Sequence, residues 1–156
     1  MILGVDPGAK GGVAVVELSG QLIDGVRMPT MKLRGKTLVD VIRLDDWLSL
    51  WAFDTAIIES VHAMPGQGVS SCFSFGRATG AVEALTMLIA DKQVWVTPQA
   101  WKKHFGLAKE KQASLDLARM RFGTAFKWTK KADDGIAEAA LMVLYWLEKQ
   151  RARIAA

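Results

Sequence analysis

Between Asp54 and Glu59 the chain reads DTAIIE, and Ala56, Ile57 and Ile58 follow one another without a polar break. A strand with one face in water alternates apolar and polar side chains. An unbroken apolar run fits a central parallel strand that is buried on both faces. Such a strand needs helices above and below its sheet, so this segment points to an α/β fold. The run also ends in an acid, Glu59. A second apolar run, Ile2 to Val5, is ended by Asp6, Pro7 and Gly8, a turn signal with an acid at its head. Carboxylates at the mouths of buried strands are costly unless something positive binds them.

The remaining elements can be placed around these two strands. Gly11 and Gly12 lead into a strand over Val13–Leu18, and a Ser19-Gly20 turn leads into another over Gln21–Met28. The first three strands therefore read as an antiparallel meander. The polar, basic stretch from Pro29 to Lys36 reads as a loop. Thr37 is placed to cap a helix with apolar residues at Leu38, Val39, Ile42, Leu44, Trp47, Leu48 and Trp51. After the Glu59 strand, Ser60–Ser70 carries Pro65, Gly66 and Gly68 and reads as a loop. Val69–Ala90 reads as a long helix, and its Gly76 and Gly80, four apart, as a place of close helix packing. Val94–Val96 is a fifth strand. Thr97 and Pro98 start a helix as cap and first-turn proline, and Lys109–Phe122 and Ala132–Arg151 are two more. The expectation is one domain: a five-stranded mixed sheet flanked by helices. The six tryptophans are expected mostly in the core.

The last helix begins KKADDGIAEAALM. Asp134 and Glu138, at i and i+4, share one of its faces, whereas Asp133 is rotated ~100° away. Open α/β sheets collect functional groups beside their strand ends. If the Ile2 and Asp54 strands are neighbours, Asp6 and Glu59 lie side by side there, and the helix can bring Asp134 and Glu138 to them. Each acid also has an ordinary reading. Asp6 could form a side-chain turn, Glu59 could pair with a lysine, and Asp134 could complement the helix dipole. Taken together, four carboxylates point to two Mg²⁺ ions, with Mn²⁺ able to substitute, because oxygen-only ligands favour hard cations over zinc. Two such ions ~4 Å apart would activate a water and stabilise a leaving oxygen in phosphodiester hydrolysis.

Charge supports an anionic substrate. The net charge is +4, and between Lys102 and Lys131 there are nine Lys/Arg against Glu110 and Asp116 alone. A solvated helix face is the plain reading of a charge run, but this one lies just before the Asp134/Glu138 pair. A polyanion held by Lys102, Lys103, Lys109, Lys111, Lys130 or Lys131 would reach those acids, and nucleic acid is the commonest such partner. No apolar run approaches the ~18 residues of a membrane span. The opening residues carry no export signal, and the single Cys72 excludes an internal disulfide and reads as a small core residue. A cytoplasmic protein is expected. No GxxxxGK[ST] loop occurs, so no nucleotide cofactor is expected.

In order, ILGVDPGAKGGVAVVEL, AIIESVHA, SSCFSFGRATGAVEAL, VWVTPQAWKKHFGLAKEKQ and DDGIAEAALM resemble segments of the RuvC family of Holliday junction resolvases, within the RNase H-like superfamily. The resemblance covers nearly the whole chain. It implies an RNase H-like fold and a catalytic, metal-binding set of Asp6, Glu59, Asp134 and Glu138. Many relatives carry the last two ligands three apart; here the pair is four apart and ends in Glu138, which leaves Asp133 as the reserve for Asp134. The resemblance further implies a homodimer, with the Val69–Ala90 helix across its interface, that cuts opposed strands of a four-way DNA junction symmetrically. Bacterial cells, or phage-infected ones, are the implied setting. Phosphate contacts are expected from Lys109 and Lys111, with Lys102 and Lys103 beside them. His62, Met64, Phe73 and Phe75 are the candidates for the junction centre. The alternatives are an RNase H or YqgF-like nuclease acting on RNA or RNA–DNA hybrids, and a non-catalytic protein that binds branched DNA.

Overall fold

The computed structural model describes residues 1–63, 66–107, 111–126, 128 and 133–155, with Lys111 described by its backbone alone. Strands β1 (Ile2–Asp6), β2 (Gly12–Val16) and β3 (Leu22–Arg27) form the expected antiparallel meander. Strand β6 (Phe53–Glu59) pairs in parallel with β1 on one side and with β7 (Ala90–Val96) on the other. The sheet order is β3-β2-β1-β6-β7, five strands of mixed direction.

Side-chain alternation along the central strands divides the core in two. Ile2 and Ile57 face a cluster with Trp101, Leu115, Ile136, Leu141 and Met142. These come from helices α3 (Pro98–His104), α4 (Lys111–Phe122) and α5 (Asp134–Ile154). Leu3, Val5, Ala56 and Ile58 face the other way, onto Leu44, Leu48, Ala78 and Val82. That layer is built by α1 (Val41–Leu48) and α2 (Val69–Ile89). Burying each of these large aliphatic side chains is worth about 1.5–3 kcal/mol, which is why a run apolar on both faces occupies the middle of the sheet.

Three sequence expectations need correction. The Pro29–Lys36 stretch is not a loop: β4 (Thr30–Leu33) and β5 (Lys36–Val39) form a separate antiparallel hairpin. Arg34 and Gly35, both at positive φ (51° and 75°), turn it in two residues, the geometry that lets a tight turn follow the twist of its strands. Thr37 therefore lies in a strand, where its hydroxyl accepts from Lys32 Nζ at 2.7 Å. The helix starts later, capped by the Asp40 carboxylate, which accepts from the Arg43 amide. Finally, Cys72 is half-buried on α2 rather than in the core. The tryptophans do lie mostly in or against the core: Trp101 is fully buried, Trp47, Trp51, Trp128 and Trp146 are half-buried against the two clusters, and Trp95 is exposed. Among the described residues no helix is long and apolar enough to cross a membrane.

Candidate active site

Parallel pairing aligns Val5 with Ile58, so Asp6 and Glu59, the next residues, leave the same end of neighbouring strands. Glycine brings the last helix to them. A Cβ on Gly135 would lie 2.4 Å from the carbonyl carbon of Gly11, and one on Gly4 would lie 2.2 Å from the carbonyl oxygen of Ala139. No side chain fits at such contacts, so α5 sits directly on the backbone of the β1–β2 connection and of β1. Gly11 in turn folds back against the Asp6 carboxylate, where its own Cβ would come within 2.7 Å of the carboxyl carbon. Asp134 thus begins α5 immediately beside the turn that carries Asp6.

The two glutamates are the buried members. Glu59 is 7% exposed and Glu138 8%, and an ionised carboxylate at that depth needs donors. The indole Nε1 of Trp101 donates to Glu59 Oε1 at 3.1 Å. Glu138 Oε1 accepts from Lys102 Nζ at 2.9 Å and from Ser114 Oγ at 3.0 Å. Neighbouring residues of α3 therefore hold one glutamate each. Asp133 takes a different partner. It is the cap position of α5, buried, and ion-paired to the Arg27 guanidinium, whose Nε donates at 2.8 Å. Asp134, one residue on, is half-buried and accepts from the Gly135 amide at 3.1 Å. Asp6 Oδ1 lies 3.5 Å from the Gly8 amide, a long contact within its turn.

All four expected carboxylates thus lie on elements that meet at one end of the sheet. Their chemistry, oxygen donors without thiolate or imidazole, fits a hard divalent cation. Their placement is not yet that of a formed coordination shell, since among the described residues no three His, Cys, Asp or Glu stand grouped to hold an ion. Glu138 is turned toward Lys102 and Ser114 and would have to leave them to share a cation. Trp101, Ser114 and Arg27 were not anticipated. Trp101 could have been found one helical turn past the Thr97-Pro98 start; nothing in the sequence marks Ser114 or Arg27.

Of the expected phosphate-binding residues, Lys102 is committed to Glu138 and Lys103 is exposed on α3. Lys109, Lys130 and Lys131 lie outside the described residues, as does Met64, and the Lys111 side chain is not described. His62 is exposed, Phe73 is 60% exposed with the Arg77 guanidinium over its ring, and Phe75 is half-buried. A Cβ on Gly76 or Gly80 would meet nothing within 4 Å. The close packing expected at these glycines is therefore not found among the described residues. They share an exposed side of α2 with Val69, Phe73, Met87 and Leu88.

No family model matches the chain, and no curated protein matches it in sequence. Among solved structures, it is similar to RuvC of Thermus thermophilus in complex with a Holliday junction substrate, with a TM-score of 0.65 at 15% identity over 95% of each chain. A second Thermus thermophilus RuvC structure matches with a TM-score of 0.54 at 18% identity over 96% of each chain. The fold is that of the RuvC structures, the RNase H-like α/β arrangement expected from the sequence.

Proposed function

We propose that the protein is a structure-selective DNA endonuclease that resolves four-way junctions by Mg²⁺-dependent phosphodiester hydrolysis. The observation that carries this reading is the pair of buried glutamates, Glu59 on β6 and Glu138 on α5, with Asp6 on the neighbouring β1 and Asp134 also on α5, in a RuvC-like fold. One of the similar structures is a RuvC in complex with a Holliday junction substrate, which favours branched DNA over other polyanions.

In this reading Asp6, Glu59, Asp134 and Glu138 hold the divalent ions, which supply an activated water and stabilise the leaving oxygen. Asp134 is preferred to Asp133 as the third ligand, because Asp134 shares the face of α5 that carries Glu138 at i+4, whereas Asp133 is the cap residue. Lys102 neutralises Glu138 and lies at the site's edge, where a phosphate would approach. Lys103, Lys109, Lys111, Lys130 and Lys131 position the DNA through its phosphates, which carry no sequence information. The exposed apolar side of α2, with Val69 at 87% and Leu88 at 84% exposure, is the surface on which two copies would pair. Gly76 and Gly80 would let the two helices approach closely.

The test is incubation with a synthetic mobile four-way junction and Mg²⁺, with nicks mapped on every strand. Paired nicks related by twofold symmetry are expected. Preferential cutting of an RNA–DNA hybrid or structured RNA would move the activity to the RNase H or YqgF-like alternative. Junction binding with no nick, in wild type and Asp6→Asn alike, would leave a non-catalytic binding protein.

A further inference from the structure

Trp101 has no exposed surface, yet its ring carries a polar N–H that has to find an acceptor. The acceptor is Glu59 Oε1. The corner that places the indole is itself tied to the strand of Glu59. Glu59 pairs with Val96 at the end of β7, the Ser60 amide donates to the Val96 carbonyl at 2.8 Å, and Thr97 then caps α3 through the Ala100 amide. Trp101 follows one turn later. Its ring serves a second contact, because Lys102 Nζ lies 4.9 Å from the ring centroid while bonding Glu138. One side chain therefore touches one buried glutamate through its N–H and a holder of the other through its π face.

We infer that Trp101 is a positioning residue, whose indole N–H fixes the Glu59 carboxylate in the orientation that receives a divalent cation. The inference rests on the nuclease reading above. A glutamate has three side-chain torsions to settle before it can act as a ligand. A donor on one oxygen settles them in advance, as outer partners of metal ligands commonly do. Trp101 is fully buried, so it would act through Glu59 and not on the substrate itself.

The test is Trp101→Phe, which keeps a buried ring beside Lys102 and removes the donor together with part of the bicyclic ring. Titration calorimetry with Mn²⁺ alone, without DNA, should show affinity lowered by about 10- to 100-fold, the usual cost of losing an outer partner of a metal ligand. In cleavage, kcat should fall with KM for the junction unchanged. In a Glu59→Gln background the same substitution should lower Mn²⁺ affinity no further; a merely structural role would add its effect in both backgrounds. Should Trp101→Phe not fold, benzothienylalanine in place of Trp101 keeps the bicyclic ring without the N–H and is read the same way. Wild-type protein that binds Mn²⁺ and cuts, beside a variant that does both equally well, overturns the positioning role and leaves the nuclease reading intact. Wild-type protein that neither binds Mn²⁺ nor cuts overturns both.

Discussion

Strand β6 carries a carboxylate near each end, and the two live in different media. Asp54, near the start, has a side chain 73% exposed and lies 2.8 Å from the N-terminal ammonium. Hydrogen bonding from that ammonium, and then its charge, hold the Asp54 carboxyl below the usual aspartate range. Glu59, at the far end, is 7% exposed and takes the indole of a fully buried tryptophan. Water would stabilise Asp54 with or without its partner, so that pair says little about function. Nothing but the protein, or an ion it recruits, can stabilise Glu59, and a fold keeps such a group only where it is used or compensated. The cost of a carboxylate, more than its presence, marks the candidate active end of this sheet.

The sharpest way to break that contrast is neutralisation at each end. Glu59→Gln should reduce Mg²⁺-dependent junction cleavage below detection while junction binding in a gel-shift assay persists; cleavage at the wild-type rate would remove Glu59 from the ligand set. Next in size is Gly135→Ala. Its new Cβ would lie 2.4 Å from the Gly11 backbone, so α5 must lift from the sheet. A loss of about 3 kcal/mol in urea unfolding is expected for such overpacking, together with loss of cleavage. A stable, active variant would show that the acids do not depend on this contact.

Lys102→Met probes the other buried glutamate. It leaves Glu138 with the Ser114 hydroxyl, and unfolding should show a loss of about 1–3 kcal/mol, as for a buried acceptor deprived of a charged donor. The smallest effect belongs to the exposed end. Because the folded-state pKa of Asp54 is lowered, its contribution is present above the ordinary value of 3.8 and disappears as pH falls through the folded value. Asp54→Asn should therefore be nearly indistinguishable from wild type in neutral unfolding curves, and any difference should vanish in acid.

These contrasts also show what the sequence could reveal. The unbroken AIIE run and the Asp6 turn were legible because burial on both faces and turn chemistry are local properties. So were the Thr97-Pro98 helix start and the shared face of Asp134 and Glu138. The β4–β5 hairpin was not, because Arg34 adopts a left-handed conformation that its residue type does not advertise, and Leu38 and Val39 suit a strand as well as a helix. At the candidate site, the sequence singles out the acids and gives no sign of the side chains that hold them. Trp101, Ser114 and Arg27 act across 42, 24 and 106 residues of sequence, respectively, distances at which no spacing rule applies. Gly135 was equally silent, since only the backbone of Gly11 against it explains why a side chain is forbidden there.

The central claim, that the carboxylates at this end of the sheet hold divalent cations, is tested most directly by anomalous diffraction from crystals grown in Mn²⁺. The account predicts manganese peaks between Asp6, Glu59, Asp134 and Glu138, with Glu138 turned away from Lys102. An anomalous map empty at that position, with Glu138 still bonded to Lys102 and Ser114 at saturating Mn²⁺, would contradict it.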